Sequence, residues 1–338
     1  MKPFREIMSI LNERNARHIL ILCHKNADPD AVCSSYTLSN LLSIFKPGIE
    51  IVVAVPESVS KISKIILERF PMEVTHEEPD FKAFDVIFVL DTNTLRQLGE
   101  WGEHICETSA PIIMIDHHAP HLETERIMTL YICRENSSAT CEIIYELFKE
   151  ADVKPSKDVA EALLLGIAFD TRHFTLARSS TFKVISEIVD LGIDVQENIQ
   201  ILTVPMDVSE RIARLKACKR IETMRIYGWI IAFSRVGSFQ ASAARALIDV
   251  GADVAIVGSE DKGELLISMR SSNEFYNKTS IHLGKDIAAP LGQLLQGMGG
   301  GHTTSAGVNG RGDLETAFKF AARILRKKLK CSQRQIQA

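Results

Sequence analysis

The sequence lacks both a strong net charge and a long hydrophobic run. Apolar residues make up 46% of the 338 residues, charged residues make up 24%, and the formal net charge is −4. The longest apolar runs, such as residues 162–169, are shorter than the about 18–20 residues that a membrane helix needs. The acidic balance provides no overall basic field to hold long nucleic acid. We therefore expect a globular protein without a membrane segment. The composition leaves open a small phosphorylated ligand or a short strand bound by a local patch.

Cysteine is scarce and scattered along the chain. The seven cysteines form no C-x-x-C pair and are odd in number, so we expect reduced thiols that pack as small apolar residues. Residues 1–14 mix charged and apolar side chains, a pattern typical of an amphipathic helix rather than a signal peptide. These features predict a cytoplasmic protein. They leave its oligomeric state open, with a homodimer among the options.

The first half of the chain alternates short apolar runs with helical patterns. The runs are rich in β-branched residues and continuous, as expected for strands buried on both faces. Strand–helix alternation indicates an α/β fold with a parallel sheet. The predicted strands are 18–23, 49–55, 86–90 and 112–115, and the predicted helices are 31–45, 59–70, 95–107, 139–150, 157–168 and 179–191.

The second half predicts a smaller α/β domain. The length of the chain, 338 residues, suggests two domains, because single hydrophobic cores stop growing at about 250–300 residues. We divide the chain into a catalytic domain (1–200), a helical linker (201–222) that includes Pro205, a second domain (223–330) and a polar tail (331–338). Within the second domain we predict strands at 229–233, 254–257, 265–269 and 305–308, and helices at 242–250, 285–295 and 314–329.

Acidic and histidine residues follow the predicted strands of the first half. In an open parallel sheet, ligands bind in the crevice outside the carboxyl ends of the strands. Separate segments of the chain therefore bring carboxylates and imidazoles to one edge of the sheet. These residues are His24, Asp28 and Asp30 after the first strand, Asp91 after the third, Asp116, His117 and His118 after the fourth, and Asp170 at the end of a later helix.

This concentration of negative charge predicts a metal centre. Neighbouring carboxylates raise one another's pKa unless a cation compensates them. A mixture of carboxylate oxygens and imidazole nitrogens suits Mn²⁺, Co²⁺ or Zn²⁺ better than Ca²⁺. So many candidate ligands suit two ions about 3.5–4 Å apart that share one carboxylate. We expect two divalent ions, Mn²⁺ first, with Co²⁺, Mg²⁺ or Zn²⁺ as alternatives.

These motifs resemble, in order, the four signatures of the DHH phosphoesterases. The likeness extends into the second half, which is similar to the DHHA1 substrate-binding domain. That family includes RecJ-type exonucleases, oligoribonucleases that also act on phosphoadenosine phosphate (pAp), cyclic-dinucleotide phosphodiesterases, pyrophosphatases and polyphosphatases. The motifs of the second half are Arg270-Ser271-Ser272, Gly299-Gly300-Gly301-His302 and Ala306-Gly307.

The resemblance implies a role for each residue. One metal is held by His24, Asp28 and Asp91, and the second by Asp30, Asp91, His117 and Asp170, with Asp91 shared. Asp116 orients the histidines, and His118 faces the substrate phosphate. The implied substrate-binding residues are Arg270, Ser271, Gly299, Gly300, Gly301 and His302.

Four residues depart from the commonest family pattern. Pro29, Cys33, Arg172 and Met298 stand at positions where glycine is frequent in the family. None of them is an implied ligand. Changes at Arg172 and Met298 therefore bear on the shape of the substrate pocket rather than on the metal chemistry.

The sequence predicts a two-metal phosphodiesterase or phosphatase in which activated water cleaves the phosphoester. The chain length and the acidic balance favour short single-stranded RNA or DNA, linear dinucleotides or pAp as substrates. Two alternatives stay open on the same scaffold, a cyclic-dinucleotide phosphodiesterase and a polyphosphate hydrolase. A third alternative, from another class, is a non-catalytic nucleotide-binding protein.

Overall fold

The computed structural model describes residues 2–203 and 206–336, with side chains up to residue 332. The chain divides into two compact units, Met1–Val204 and Pro205–Ala338. Pro205, which we predicted within the linker, and residues 337–338 of the predicted tail lie outside the described residues. Within the described ranges, no helix is both long enough and apolar enough to cross a membrane.

The first unit is built on a parallel sheet with the strand order β3-β2-β1-β4-β5-β6. Its strands are β1 (His18–Cys23), β2 (Glu50–Ala54), β3 (Val74–Thr75), β4 (Val86–Leu90), β5 (Ile112–Asp116) and β6 (Leu130–Cys133). Its helices are α1 (Pro3–Glu13), α2 (Pro29–Phe45), α3 (Lys61–Arg69), α4 (Trp101–His104), α5 (Leu122–Glu125), α6 (Thr140–Glu150), α7 (Lys157–Asp170), α8 (Ser179–Val189) and α9 (Val195–Ile201). Short 3₁₀ turns lie at Phe81–Ala83, Leu95–Leu98 and Ile105–Glu107.

Hydrophobic cores cover both faces of this sheet. Alternate residues of β1, such as Ile19 and Ile21, pack with helices α1, α2, α6 and α7 on one face. The intervening residues Leu20 and Leu22 pack with Trp101 on the other face. Strands β4 and β5 are buried along their whole length, which explains why their sequences are continuous apolar runs. The strand order reverses between β1 and β4, and this reversal creates a crevice at their carboxyl ends.

The second unit is a mixed sheet with the strand order β11-β12-β10-β9-β8-β7. Strands β8 and β9 are parallel and the other pairs are antiparallel. Its strands are β7 (Glu222–Ile226), β8 (Trp229–Arg235), β9 (Val254–Asp261), β10 (Glu264–Ser271), β11 (Met298–Gly301) and β12 (Ser305–Arg311). Its helices are α10 (Val208–Lys219), α11 (Gln240–Asp249), α12 (Asn273–Thr279), α13 (Ala289–Leu294), preceded by a π-helical turn (Leu283–Ala288), and α14 (Leu314–Ile336).

The α/β fold with two parts agrees with the sequence prediction, and several details differ from it. Helix α10, which we assigned to a linker, belongs to the second unit, where Arg214 donates a hydrogen bond to Ser242. The predicted polar tail is helical as far as Ile336. No glycine or proline interrupts this segment, and the Ser332 hydroxyl donates to the Thr279 carbonyl. The predicted helix 95–107 is broken into short turns around Gly99, whose φ is +61°.

The three successive glycines form the edge strand β11 rather than a loop. A β-carbon at Gly299 would lie 1.8 Å from the Ala288 carbonyl oxygen, and one at Gly301 would lie 2.4 Å from the Ser305 oxygen. At Gly300, in contrast, nothing lies within 4 Å of that position. Two of the three glycines therefore allow backbones to pack closely, and only Gly300 faces open space.

This difference predicts unequal effects on stability of two neighbouring substitutions. Gly299→Ala forces the Ala288 backbone away and should lower the free energy of unfolding by about 2 kcal/mol. Gly300→Ala fits without a clash and should change it by less than about 1 kcal/mol. Urea unfolding followed through Trp229 fluorescence, in a Trp101→Phe background, reports on the second unit. Equal destabilisation by both substitutions would contradict the packing argument.

Candidate metal centre

The carboxyl ends of the central strands deliver the predicted ligands to one place. His24 directly follows β1, Asp91 directly follows β4, and Asp116 ends β5. Asp28 is the N-cap of α2, where its side chain accepts hydrogen bonds from the amides of Asp30 and Ala31. Asp170 is the last residue of α7 and arrives from a different direction.

The first group of converging side chains consists of His24, Asp28 and Asp91, whose ligand atoms all lie within 4.8 Å of one another. Nε2 of His24 is 3.9 Å from Oδ1 of Asp28 and 3.8 Å from Oδ2 of Asp91. Nδ1 of the same ring lies 2.9 Å from the Lys25 carbonyl oxygen, which can only accept. The proton therefore belongs on Nδ1, and the Nε2 lone pair faces the two carboxylates.

The second group consists of Asp30, Asp91, His117 and Asp170, again with ligand atoms within 4.8 Å of one another. Nε2 of His117 lies 3.5 Å from Oδ1 of Asp91 and 2.9 Å from Oδ2 of Asp170. This buried nitrogen nevertheless makes no aligned hydrogen bond to any residue that the structure describes. A buried nitrogen without such a hydrogen bond requires an explanation, and binding of an ion is one that fits the surrounding carboxylates.

Asp116 and His118 form a third element of the site. Oδ1 of Asp116 lies 2.7 Å from Nδ1 of His118 and also accepts the His118 amide proton. The hydrogen bond to Asp116 raises the pKa of His118 to about 9. Asp116 is fully buried, whereas the His118 side chain is 44% exposed. The Asp116 hydrogen bond thus fixes one edge of a ring that is partly exposed to solvent.

Asp91 is common to all the converging groups, and its conformation is unusual. Its φ is +52°, in the left-handed region that non-glycine residues seldom occupy. The Thr140 hydroxyl donates to Oδ1 of Asp91, while the Thr140 and Cys141 amides donate to the two oxygens of Asp30. The first residues of α6 therefore hold both carboxylates. Sequence reasoning missed this role, because Thr140 reads first as a candidate helix cap.

The electrostatics of the cluster favour a bound cation. Burial, together with the charges of Asp28 and Asp170, raises the pKa of the Asp91 carboxyl to about 7. Burial and the charge of Asp91 raise the pKa of Asp30 well above its usual value. Such shifts arise where carboxylates crowd together without compensation. The donor set, carboxylates with imidazoles, fits a first-row divalent cation.

The predicted substrate-binding residues of the second unit do not share one surface. Arg270 pairs with Ala255 and Ser305, and Ala255 packs in the core beneath α11. Directly opposite residues of antiparallel strands share a face, so Gly300, which pairs with Gly307, lies on the same face as Arg270. This side of the sheet is open at Gly300 and Gly307, both of which are exposed.

The remaining predicted residues of this unit occupy other positions. Ser271 pairs with Val254, is 9% exposed and lies on the opposite face from Arg270. Gly299 and Gly301 face packed backbone, as described above. His302 is exposed in the turn that follows β11, and its amide donates to the Ser305 carbonyl. Arg270, which is half-buried, and the exposed Gly300 are therefore the predicted residues that lie on the same face of the sheet.

Comparison with known proteins places this site in a family. Residues 18–167 match the model of the DHH family, N-terminal domain. The chain is 37% identical over 306 residues to Uncharacterized protein MJ0988 of Methanocaldococcus jannaschii, a match that covers 89% of this chain and 90% of that one. It is 30% identical over 156 residues to a probable manganese-dependent inorganic pyrophosphatase of Streptococcus suis, covering 45% of this chain and 48% of that one.

A solved structure extends the likeness to the whole fold. An exopolyphosphatase-related protein from Bacteroides fragilis superposes with a TM-score of 0.62 at 20% identity, covering 98% of this chain and 97% of that one. The fold and the cluster of acids and histidines define a metal-dependent phosphoesterase. The chain belongs to the DHH family, as the sequence motifs indicated.

Metal binding should stabilise the protein measurably. A ligand at 100 times its dissociation constant stabilises the folded state by about 2.7 kcal/mol, which corresponds to a rise of about 5–10 °C in the unfolding temperature. We expect Mn²⁺ to produce this rise and EDTA to reverse it. Asp30→Asn should abolish most of the rise, whereas Glu123→Gln, at an exposed acid of the same unit, should preserve it. Equal Mn²⁺ responses in both variants would exclude Asp30 as a ligand.

Proposed function

We propose that this phosphoesterase hydrolyses short oligonucleotides, linear dinucleotides or pAp with two divalent ions, Mn²⁺ first. The observation that supports it most directly is the pair of converging groups that share Asp91. One shared carboxylate between two sets of ligands suits two adjacent ions. Such ions, when bound, supply activation of water and neutralise charge on the phosphoryl oxygens.

In this proposal the ligands are His24, Asp28 and Asp91 for one ion, and Asp30, Asp91, His117 and Asp170 for the other. The amides of Thr140 and Cys141 hold the Asp30 carboxylate in place. Ligands fixed in this way need no reorganisation during the reaction. Such preorganised positioning and electrostatic stabilisation account for most of the rate enhancement in phosphoryl transfer.

His118 is proposed to act on the substrate itself. Asp116 engages Nδ1 of the ring, so Nε2 is the nitrogen that can reach a phosphoryl oxygen. The hydrogen bond to Asp116 raises the pKa of the ring and so favours the protonated form, whose Nε2–H can donate a charge-assisted hydrogen bond. Asp116, fully buried behind the ring, fixes its orientation.

The second unit is proposed to bind the nucleotide portion of the substrate. Arg270 offers a guanidinium that can bind a phosphate through two parallel hydrogen bonds. The exposed backbone at Gly300 and Gly307 lies on the same face and can accept a planar ring. His302, Ser271, Gly299 and Gly301 complete the DHHA1-like motif, and the two packed glycines and Ser271 support this surface from behind.

The substrate class is tested by a hydrolysis panel with Mn²⁺. It contains a dinucleotide, longer single-stranded RNA and DNA, pAp, cyclic dinucleotides, pyrophosphate and polyphosphate. We expect the dinucleotide and pAp to be hydrolysed fastest. Preference for pyrophosphate or polyphosphate would favour the alternative suggested by similarity to a pyrophosphatase, and preference for long DNA degraded from one end would refute the short-substrate proposal.

A substitution of His118 tests whether this side chain contacts the substrate or binds a metal ion. His118→Ala should lower kcat/KM by about 10²–10³-fold, the usual effect of removing one group that stabilises transition-state charge. The same variant should keep the rise in unfolding temperature that Mn²⁺ produces, because His118 is not a proposed ligand. Loss of the Mn²⁺ response together with activity would show instead that the ring binds metal.

A further inference from the structure

Three successive residues after Asp170 adopt left-handed backbone conformations. The φ angles are +48° at Arg172, +55° at His173 and +68° at Phe174. Nowhere else in the described ranges do two successive non-glycine residues both have positive φ. Left-handed conformations cost free energy for residues with a β-carbon, and bulky residues are the least suited to them.

The surrounding structure holds this turn firmly. The Arg172 amide donates to the Phe169 carbonyl oxygen over 3.0 Å, and the His173 amide donates to the Ala168 carbonyl oxygen over 2.7 Å. Phe174 packs against the main core of the first unit. The strain is therefore imposed by a defined set of contacts, and glycine would adopt the same turn at lower cost.

Arg172 keeps a strained backbone conformation that glycine would adopt at lower cost. This suggests that the arginine side chain has a function. Strained backbone persists where the surroundings over-determine it, and it concentrates at functional sites. Arg172 and His173 are both exposed, and neither forms an ion pair with another residue in the described part of the chain. They stand two and three residues after Asp170 in the sequence, and Asp170 belongs to a cluster whose side chains are mainly acidic.

We propose that Arg172, assisted by His173, binds a second phosphate group of the substrate, separate from the one that is cleaved. This inference rests on the proposed function and specifies its substrate class. A guanidinium binds a phosphate bidentately, and an imidazole adds one further donor. The preferred substrates are then 5′-phosphorylated dinucleotides and nucleoside bisphosphates such as pAp, over dinucleotides without a terminal phosphate.

The test compares substitutions that remove the guanidinium with a matched control. Arg172→Gly relieves the strain and removes the charge, whereas Arg172→Ala removes the charge and keeps the strain. Lys262→Gly is the control, because Lys262 is an exposed cation in the second unit with a φ of +50°. Both glycine variants should raise the unfolding temperature by about 2–4 °C, and Arg172→Ala should not.

The decisive measurement is the ratio of kcat/KM for a 5′-phosphorylated dinucleotide over the unphosphorylated one. Both Arg172 variants should lower this ratio about 10- to 100-fold, as expected for losing a hydrogen bond between charged groups, and Lys262→Gly should leave it unchanged. An unchanged ratio in the Arg172 variants, or a wild-type protein indifferent to the terminal phosphate, would overturn the inference.

Equilibrium binding measurements test the role of Arg172 even if the proposed hydrolytic function is wrong. In calorimetric titrations with pAp and AMP, Arg172→Ala should weaken pAp binding about tenfold more than AMP binding. If the wild-type protein hydrolyses no member of the panel, the proposed function fails, yet the binding ratio still decides the role of Arg172. Equal losses for the two nucleotides would show that Arg172 does not recognise the second phosphate.

Discussion

The burial of several carboxylates around Asp91 is the constraint on which the site depends. Asp30, Asp91 and Asp116 are at most 2% exposed, and desolvating a carboxylate costs several kcal/mol unless partners compensate it. The protein compensates part of this cost with amide, hydroxyl and imidazole groups that point at the carboxylate oxygens. The remaining negative charge is what a divalent cation neutralises, so the same arrangement that destabilises the buried acids creates the affinity for metal.

The fold gathers these acids by close packing as well as by topology. The reversal of strand order between β1 and β4 opens the crevice, but Asp170 arrives on helix α7. A β-carbon at Gly166 would lie 2.3 Å from the Cys141 sulfur and 2.8 Å from Oδ1 of Asp30. Gly166 precedes Asp170 by one helical turn on the same face. The absence of a side chain there lets α7 approach α6 closely enough for the Asp170 carboxylate to join the cluster.

The central strands and the candidate ligands could be predicted from sequence, because both leave a local signal. Strands β1, β4 and β5 are continuous apolar runs, and each ends at or just before a polar residue of the site. The edge strands β3 and β6 were not predicted, because β3 has only two residues and β6, although its four residues are apolar, is short and largely half-exposed. The packing of Gly299, the left-handed turn at Arg172 and the amides that hold Asp30 depend on neighbours distant in sequence, which no local pattern records.

The net charge of the protein bears on how it selects its ligands. With a net charge of −4, it gains little from the counterion release that drives binding to long nucleic acids. Affinity must then come from individual contacts, each made by one cationic group with one phosphate. Contacts of this kind depend on the number and spacing of phosphates rather than on chain length. The phosphate contacts proposed for Arg172 in the first unit and for Arg270 in the second unit are of this kind. Each suits small phosphorylated molecules, whose few charges single cationic groups can match.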